Sequence, residues 1–558
     1  MNERAEQTGG AMSVAINFAG AHTAPGGEKR GIDVAVESLL TGLFRYGAQD
    51  IYPISVDSGA SLDAVRDIAL RADVDAARCH PVGFGDLDGA TLFRQDPDLV
   101  RLAWMRQQFG ANAYSLCGLV HTMSGAQTMS LVSDCLTAPT QAWDALICPS
   151  NAIRDVVERL WASGSAFMAA RMGTRFECPV RLPVIPLGID TDKFQPSPER
   201  RAAQRQALRV TEDAIVVLCH GRLSYAFKQH PMPILLAAEQ TALNVDRPIH
   251  VVFSGYFHPA SFEVDFRETA AAFSDHAHVR FVGNDDPDFP DGLWAGADMF
   301  ISLSDNIQES FGLTPIEAMA AELPVIISDW DGYRDAITPG REGFAAPTVM
   351  PGPGFGRELA ERYFTGEDVY GEYLAGASLS TSVDIKATTE AMTALASNDD
   401  LRRSMGAAGM ARARDVYDWR RIIPRYEELW TELSAIRAAS TGAVPTDGLS
   451  HPSYPDPFTG FQGFASASFG GEDRIVAVAS HDHVKSILAQ RMNTFRADLL
   501  LDAASLVRLI QLSRRGDGVS VAVAVAAFED APRAMRSLGW LLKMGVCALV
   551  PGQTVTRQ

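Results

Sequence analysis

Short apolar runs and stretches of helical spacing take turns along most of the chain. Residues 12–19 (MSVAINFA), 50–53 (DIYP), 114–122 (YSLCGLVHT), 145–149 (ALICP) and 184–190 (VIPLGID) read as buried strands. A second set follows at 214–219, 251–254, 279–282, 299–303 and 324–328. Helical spacing marks Ile32, Val36, Leu39, Leu40 and Leu43, the run AIRDVVERL behind Ser150-Asn151, and Leu313 to Ala321. Ser150 suits an N-cap. LWAGAD (293–298) also reads as helical, and so does 400–436, where Tyr417, Trp419, Ile423, Tyr426 and Trp430 form one aromatic-apolar face. Strand, loop, helix, strand is the unit of a parallel sheet. Its repetition from 214 to 346 predicts a doubly wound domain whose ligand crevice gathers the loops after 219, after 303 and around 330. Residues 58–110 show poor strand alternation and yield no assignment.

The candidate chemistry lies at the predicted strand ends. Glu309, in the loop SDNIQES, and Glu317, inside the next helix, stand eight positions apart. Phe311, Gly312, Leu313 and Thr314 lead into that helix, and Pro315 suits its first turn, where the free N–H groups favour an anion such as a diphosphate. The same spacing fits an ordinary α/β unit with one solvated glutamate and one capping one. Arg222 and Lys228 follow the strand at 214–219 and suit a diphosphate, one as a fork and one as a point charge, although such surface pairs are common. His121 ends a strand where open α/β sheets bind ligands. As a neutral imidazole it can donate one hydrogen bond to a hydroxyl, or it is a satisfied core histidine. Asn306 and Gln308 read hydroxyls or are simply loop polarity. Asp331-Gly332-Tyr333 is a turn that shapes a pocket. Gly188 serves backbone geometry. Gly26-Gly27 ahead of a helix is a weak signal in isolation.

The segment ESFGLTPIEAMA resembles the Glu-x7-Glu donor motif of the retaining, nucleotide-sugar-dependent glycosyltransferases of family 4, which have the GT-B fold. Further segments match in order from about residue 14 to about 435. The resemblance implies an α/β protein of two Rossmann-like domains facing across a cleft: an acceptor-side domain at 12–200 and a nucleotide-sugar domain at 205–395, followed by crossing helices at 396–436. It implies that Gly26 and Gly27 lie near the transferred group and that His121 helps hold the donor sugar. It further implies that Arg222 and Lys228 contact the donor phosphates, Glu309 the sugar and Glu317 the ribose hydroxyls, with Phe311, Gly312, Leu313 and Thr314 lining the donor site. Phe227, ahead of Lys228, departs from the pattern, where an acidic or small residue is usual. No metal and no cofactor are expected, and the leaving phosphate itself helps deprotonate the acceptor, with no general base. Two rivals stay open. One is a GT-B glycan phosphorylase, which uses inorganic phosphate and a lysine-bound pyridoxal cofactor; no matching lysine is identified. The other is an inactive nucleotide-sugar-binding scaffold.

Charge narrows the partners. The 558 residues include 68 acidic and 49 basic side chains, a formal charge of -19, which argues against a general nucleic-acid binder. The seven cysteines are scattered without metal-ligand spacing, as expected of reduced core thiols. MNERAEQTGG lacks an apolar signal core, and no run of 18 apolar residues occurs; a cytoplasmic protein without a transmembrane segment is the expectation. The acceptor is left open among a glycan, a lipid-linked glycan, a small molecule and a protein. Residues 437–475 are rich in Pro, Gly, Ser and Thr and read as a linker, whose Tyr454, Phe458, Phe461 and Phe464 are expected to dock on a neighbouring surface. Residues 476–558 form a small, mainly helical unit with a winged-helix outline, expected to serve protein contact or homo-oligomer formation.

Overall fold

A computed structural model describes residues 14–18, 31–56, 59–87, 89–284, 286–287, 289, 292–440, 451–514 and 516–550. They fall into two compact units, divided between Leu449 and Ser450. The first unit contains two six-stranded parallel sheets. One is built from β1 (Val14–Phe18), β2 (Tyr52–Val56), β3 (Cys79–Pro81), β4 (Thr91–Arg94), β5 (Ser115–Leu119) and β6 (Ala145–Ile147), in the order β3-β2-β1-β4-β5-β6. The other uses β7 (Ile215–Leu223), β8 (Ile249–Phe257), β9 (His278–Gly283), β10 (Met299–Ser302), β11 (Val325–Ser328) and β12 (Gly343–Ala346), in the order β12-β11-β10-β7-β8-β9. Read from its β9 edge, the second sheet repeats the order of the first. Each sheet reverses direction between its first and fourth strands, and ligands of open α/β sheets bind outside the strand ends at such a switch point. This is the two-domain Rossmann-like architecture of the GT-B fold.

The silent stretch 58–110 contains two strands of the first sheet. All four residues of β4 are buried, so a strand covered on both faces shows no alternation to read. Residues 184–190 make isolated bridges, Cys148 to Val184 and Ile189 to Asp418, in place of a strand. LWAGAD forms turns, not a helix. Ser150 does cap its helix, accepting from Ile153 N at 3.3 Å.

Of the helices, α1 (Gly31–Tyr46), α2 (Asn151–Met172) and α3 (Leu313–Ala320) connect sheet strands. A short antiparallel pair, β13 (Thr348–Val349) with β14 (Ser382–Val383), forms the base of a helical hairpin, α4 (Arg357–Thr365) and α5 (Tyr370–Leu379). Finally α6 (Trp419–Ala439) returns to the N-terminal sheet. Its buried aromatic face packs there: Phe93 lies 5.7 Å from Tyr426 and 5.4 Å from Trp430, ring to ring. Trp419 donates to Ser38 Oγ at 2.9 Å. A Cβ at Gly188 would stand 2.6 Å from the Trp419 indole; this glycine is needed for space and not for backbone geometry.

The second unit has its own core. β15 (Arg474–Ala477), β16 (Val519–Ser520) and β17 (Cys547–Leu549) form an antiparallel sheet with β15 in the middle. Against it pack α7 (His481–Leu488), α8 (Ala503–Ser513), α9 (Val521–Ala526) and α10 (Ala531–Lys543). β15 begins inside the expected linker. Tyr454, Phe458, Phe461 and Phe464 are all exposed, Phe464 at 88%, because the short helix at Pro457–Gly460, capped by Asp456, orders the backbone without covering the rings. Among the described residues all seven cysteines are free thiols, and no helix is long and apolar enough to cross a membrane.

Truncating Trp430 to alanine leaves a cavity between α6 and the N-terminal sheet. The expected cost is about 3–5 kcal/mol, read as a lower urea midpoint for the N-terminal tyrosine and tryptophan signal.

Candidate active site

The second sheet's switch point places the loop after β7 beside the loop after β10, and hydrogen bonds join them. Asn306 Nδ2 donates to Ala226 O at 2.8 Å, Ser304 Oγ to Lys228 O at 3.2 Å, and Leu303 N to Gln229 Oε1 at 2.5 Å. Asn306 is therefore spent on holding a loop and reads no hydroxyl. The joined loops bring Lys228 to Glu309, eighty-one residues away, in a direct ion pair. Lys228 Nζ also donates to Tyr333 OH at 3.2 Å, and Tyr333 OH shares a hydrogen bond with Ser302 Oγ at 2.8 Å. Arg222 Nη1 donates to Gln308 Oε1 at 3.4 Å.

The motif's glycine is explained by this cluster. Gly312 has φ +84°, and a Cβ there would lie 2.0 Å from Tyr333 Cε1. Only glycine lets the chain turn into α3 while Tyr333 holds Lys228. No side chain caps α3, so its first-turn N–H groups keep their capacity for an anion. Phe311 is buried against Tyr417 at 6.0 Å, so it supports the turn. Leu313 and Thr314 open the helix, half-buried.

Charge in the cluster is shaped by burial. Burial alone would lower Lys228, but Glu309 and Tyr333 outweigh it and its pKa is raised. Burial would raise Glu309, and Lys228 outweighs that, so Glu309 is held low. Asp331 goes the other way, pushed well up by burial and then by the charge of Glu309. Burial also lifts Glu317 to about 7, against the pull of Lys228 and Lys193. Arg222 Nε, Thr314 Oγ1 and Asp331 Oδ2 are buried without a partner. Buried polar atoms are nearly always paired, so these three keep capacity for a polar ligand.

His121 lies across the cleft. Its ring Nε2 meets Gln95 O at 2.7 Å, and a carbonyl only accepts, so the proton sits on Nε2. Burial lowers its pKa and keeps it neutral, leaving Nδ1 as an acceptor. The expected donation to a hydroxyl is thus reversed: His121 can accept from one. The two domains meet beside the motif. Ser310 Oγ donates to the His121 carbonyl, Ser150 Oγ to Ser310 O at 2.7 Å, and Thr122 Oγ1 to Gln308 O at 3.2 Å. Gly26 and Gly27 lie outside the described residues. Sequence reasoning missed Tyr333 as the partner of Lys228 and treated its turn as shape alone; the adjacent Asp331, at φ +38°, gave no sign of strain in the sequence.

Residues 200–350, which hold Arg222, Lys228, Glu309, Glu317 and Asp331, match the family "Glycosyl transferases group 1". This stretch is similar to the group 1 glycosyl transferases, and the match does not extend beyond it. A D-inositol 3-phosphate glycosyltransferase of Geodermatophilus obscurus is 30% identical over 172 residues, covering 30% of this chain and 36% of that protein. The chain thus spans little more than a third of that relative's length. A phosphatidyl-myo-inositol mannosyltransferase of Mycobacterium leprae is 26% identical over 327 residues, 58% of this chain and 70% of that protein. The crystal structure of a glycosyltransferase from Rickettsia africae shares the fold at a TM-score of 0.51, with 13% identity over 76% of this chain and 99% of that one.

The buried ion pair can be tested without substrate. Lys228→Met leaves Glu309 buried and unpaired, which should cost about 3–5 kcal/mol. Adding Glu309→Gln should recover most of that loss. Thermal unfolding of the two single variants and the double one measures it; additive losses would show that the pair is not coupled.

Proposed function

We propose that this chain moves a glycosyl group from a nucleoside diphosphate sugar to an acceptor hydroxyl, with retention of configuration and without a metal ion. The observation that carries the reading is the Lys228–Glu309 ion pair at the switch point, beside Arg222 and the uncapped start of α3. A donor supplies both things that would part this pair. Its diphosphate draws Lys228 and Arg222, and its sugar hydroxyls satisfy Glu309. Charge that builds on the leaving diphosphate is then met by two cations and the helix N-terminus. The bond from the anomeric carbon to the diphosphate breaks, the acceptor oxygen bonds to the same face, and the acceptor proton passes to the departing phosphate oxygen. His121 Nδ1 accepts from a sugar hydroxyl, and Glu317 accepts from both ribose hydroxyls. Two relatives are named for inositol-bearing acceptors, so inositol phosphates head the acceptors to try.

The decisive experiment incubates the protein with UDP-, GDP- and ADP-sugars and follows slow hydrolysis with and without EDTA. One donor is expected to be hydrolysed at a rate that EDTA leaves unchanged. Strict dependence on a divalent ion sinks the metal-free part, and inertness toward every donor sinks the whole reading.

The two glutamates should separate. Glu317→Gln should weaken nucleotide binding itself, whereas Glu309→Gln should cut turnover and leave nucleotide affinity largely intact. Calorimetry on both variants distinguishes these roles, and equal losses of affinity would show them misassigned. Glu317 also predicts a pH dependence. With its pKa raised to about 7, the free protein binds this proton until near neutrality, while ribose donors favour the carboxylate. Nucleotide-sugar affinity should therefore rise with pH up to about 7 and level off above it, and Glu317→Gln should flatten the profile. Without ligand the same shift lowers stability as pH climbs from the ordinary carboxylate range to that value. Glu317→Gln should thus raise the unfolding temperature at pH above 7 even as it loses nucleotide.

A further inference from the structure

Phe227 is the one position where the cation loop departs from the pattern its sequence resembles, and the structure gives the ring a job. The Arg222 guanidinium carbon lies 5.9 Å from the centre of the Phe227 ring, within reach of a cation–π contact. Arg222 otherwise has one long hydrogen bond, to Gln308 at 3.4 Å, and its Nε is buried with no partner. Its aim is therefore set by a ring face more than by a network.

The ring itself is held partly from outside the matched residues. Gly371, in the first turn of α5, leaves room for it: a Cβ at Gly371 would fall 2.6 Å from Phe227 Cζ. His258 meets the ring edge-on at 5.3 Å, and Tyr370 lies 6.5 Å away. The hairpin of α4 and α5 begins after residue 350, where the family match ends. The same hairpin reaches the N-terminal domain, where Tyr370 OH shares a hydrogen bond with Ser124 Oγ at 2.8 Å and Ala126 N donates to Tyr363 OH at 3.0 Å. One helix therefore holds the platform under Arg222 with Gly371 and touches the opposite domain with the preceding residue.

We propose that Phe227 is a positioning residue for Arg222, and that the α4–α5 hairpin, through the glycine notch at Gly371, holds the ring so that the guanidinium faces the distal phosphate of the nucleotide. This rests on the nucleotide-sugar reading above. The hairpin is then part of the donor site, although it lies outside the family domain. An aromatic residue is required at 227 because it must both fill the notch and present a π face.

The test is the affinity gained from the second phosphate. UDP, GDP and ADP, with UMP, GMP and AMP beside them, are titrated into the full chain by calorimetry, and the best-binding base is carried forward. Phe227→Ala should lower diphosphate affinity by about tenfold, the scale of a partly desolvated cation–π contact, and leave monophosphate affinity unchanged. Phe227→Tyr should restore the diphosphate advantage, whereas Phe227→Leu, apolar but without a π face, should not. Gly371→Ala should reproduce the loss by displacing the ring, and alanine favours a helix over glycine, so this variant does not depend on a damaged fold. The double variant should lose no more than either single one, because both remove the same contact. Equal loss of mono- and diphosphate affinity, full diphosphate affinity of the leucine variant, or additive losses would each overturn the proposal. A wild-type protein that binds none of the six nucleotides would instead overturn the reading beneath it.

Discussion

An ion pair buried at a sheet's switch point is the constraint on which the site depends. The side chains of Lys228 and Glu309 are 16% and 13% exposed, so each charge is costly to hold without the other. A fold seeking stability alone would fill such a place with apolar groups. Here the two charges neutralise each other near Asp331, whose Oδ2 is buried without a partner. A ligand with an anionic end and a hydroxyl-rich end can take both charges over at once. Desolvation makes the buried charges costly, and the same desolvation makes a matching ligand's charge count for more.

The surrounding structure keeps that pair in register. Tyr333 fixes Lys228 from below, and Gly312 gives way to the Tyr333 ring. Backbone approach is close enough that a Cβ at Gly332 would lie 2.4 Å from Ser310 O. Ser310 then reaches across to the His121 carbonyl, and Ser150, a helix cap on the other domain, reaches back to Ser310. Each link is a hydrogen bond between loops that follow parallel strands, so the two sheets control the spacing of the site. On the far side α6 ties the domains together through Trp419, Tyr426 and Trp430, and carries no chemistry of its own.

Much of this was legible in the residues. The strand, loop, helix, strand order around Glu309 and Glu317, the serine cap at 150 and the aromatic face of α6 are local patterns, and the chain adopts them where they were read. Strand β4 was not legible, because a strand buried on both faces has no polar rhythm. Nor were the turns at LWAGAD, where apolar side chains fill a gap and do not repeat along a helix. Gly188 shows the same limit from another side: its value lies in the indole of Trp419, more than two hundred residues further on.

What the sequence by itself determined is the set of elements and the kinds of side chain at their ends, since hydrophobic period and turn chemistry act over a few neighbours. Only the tertiary structure decided how those side chains pair. Strand order brings Lys228 to Glu309, Gln95 to His121 and Gly371 to Phe227, and so chooses the charge of one group, the tautomer of another and the aim of Arg222. Strand order is set by how the sheets bury their faces as a whole, and no local pattern carries it.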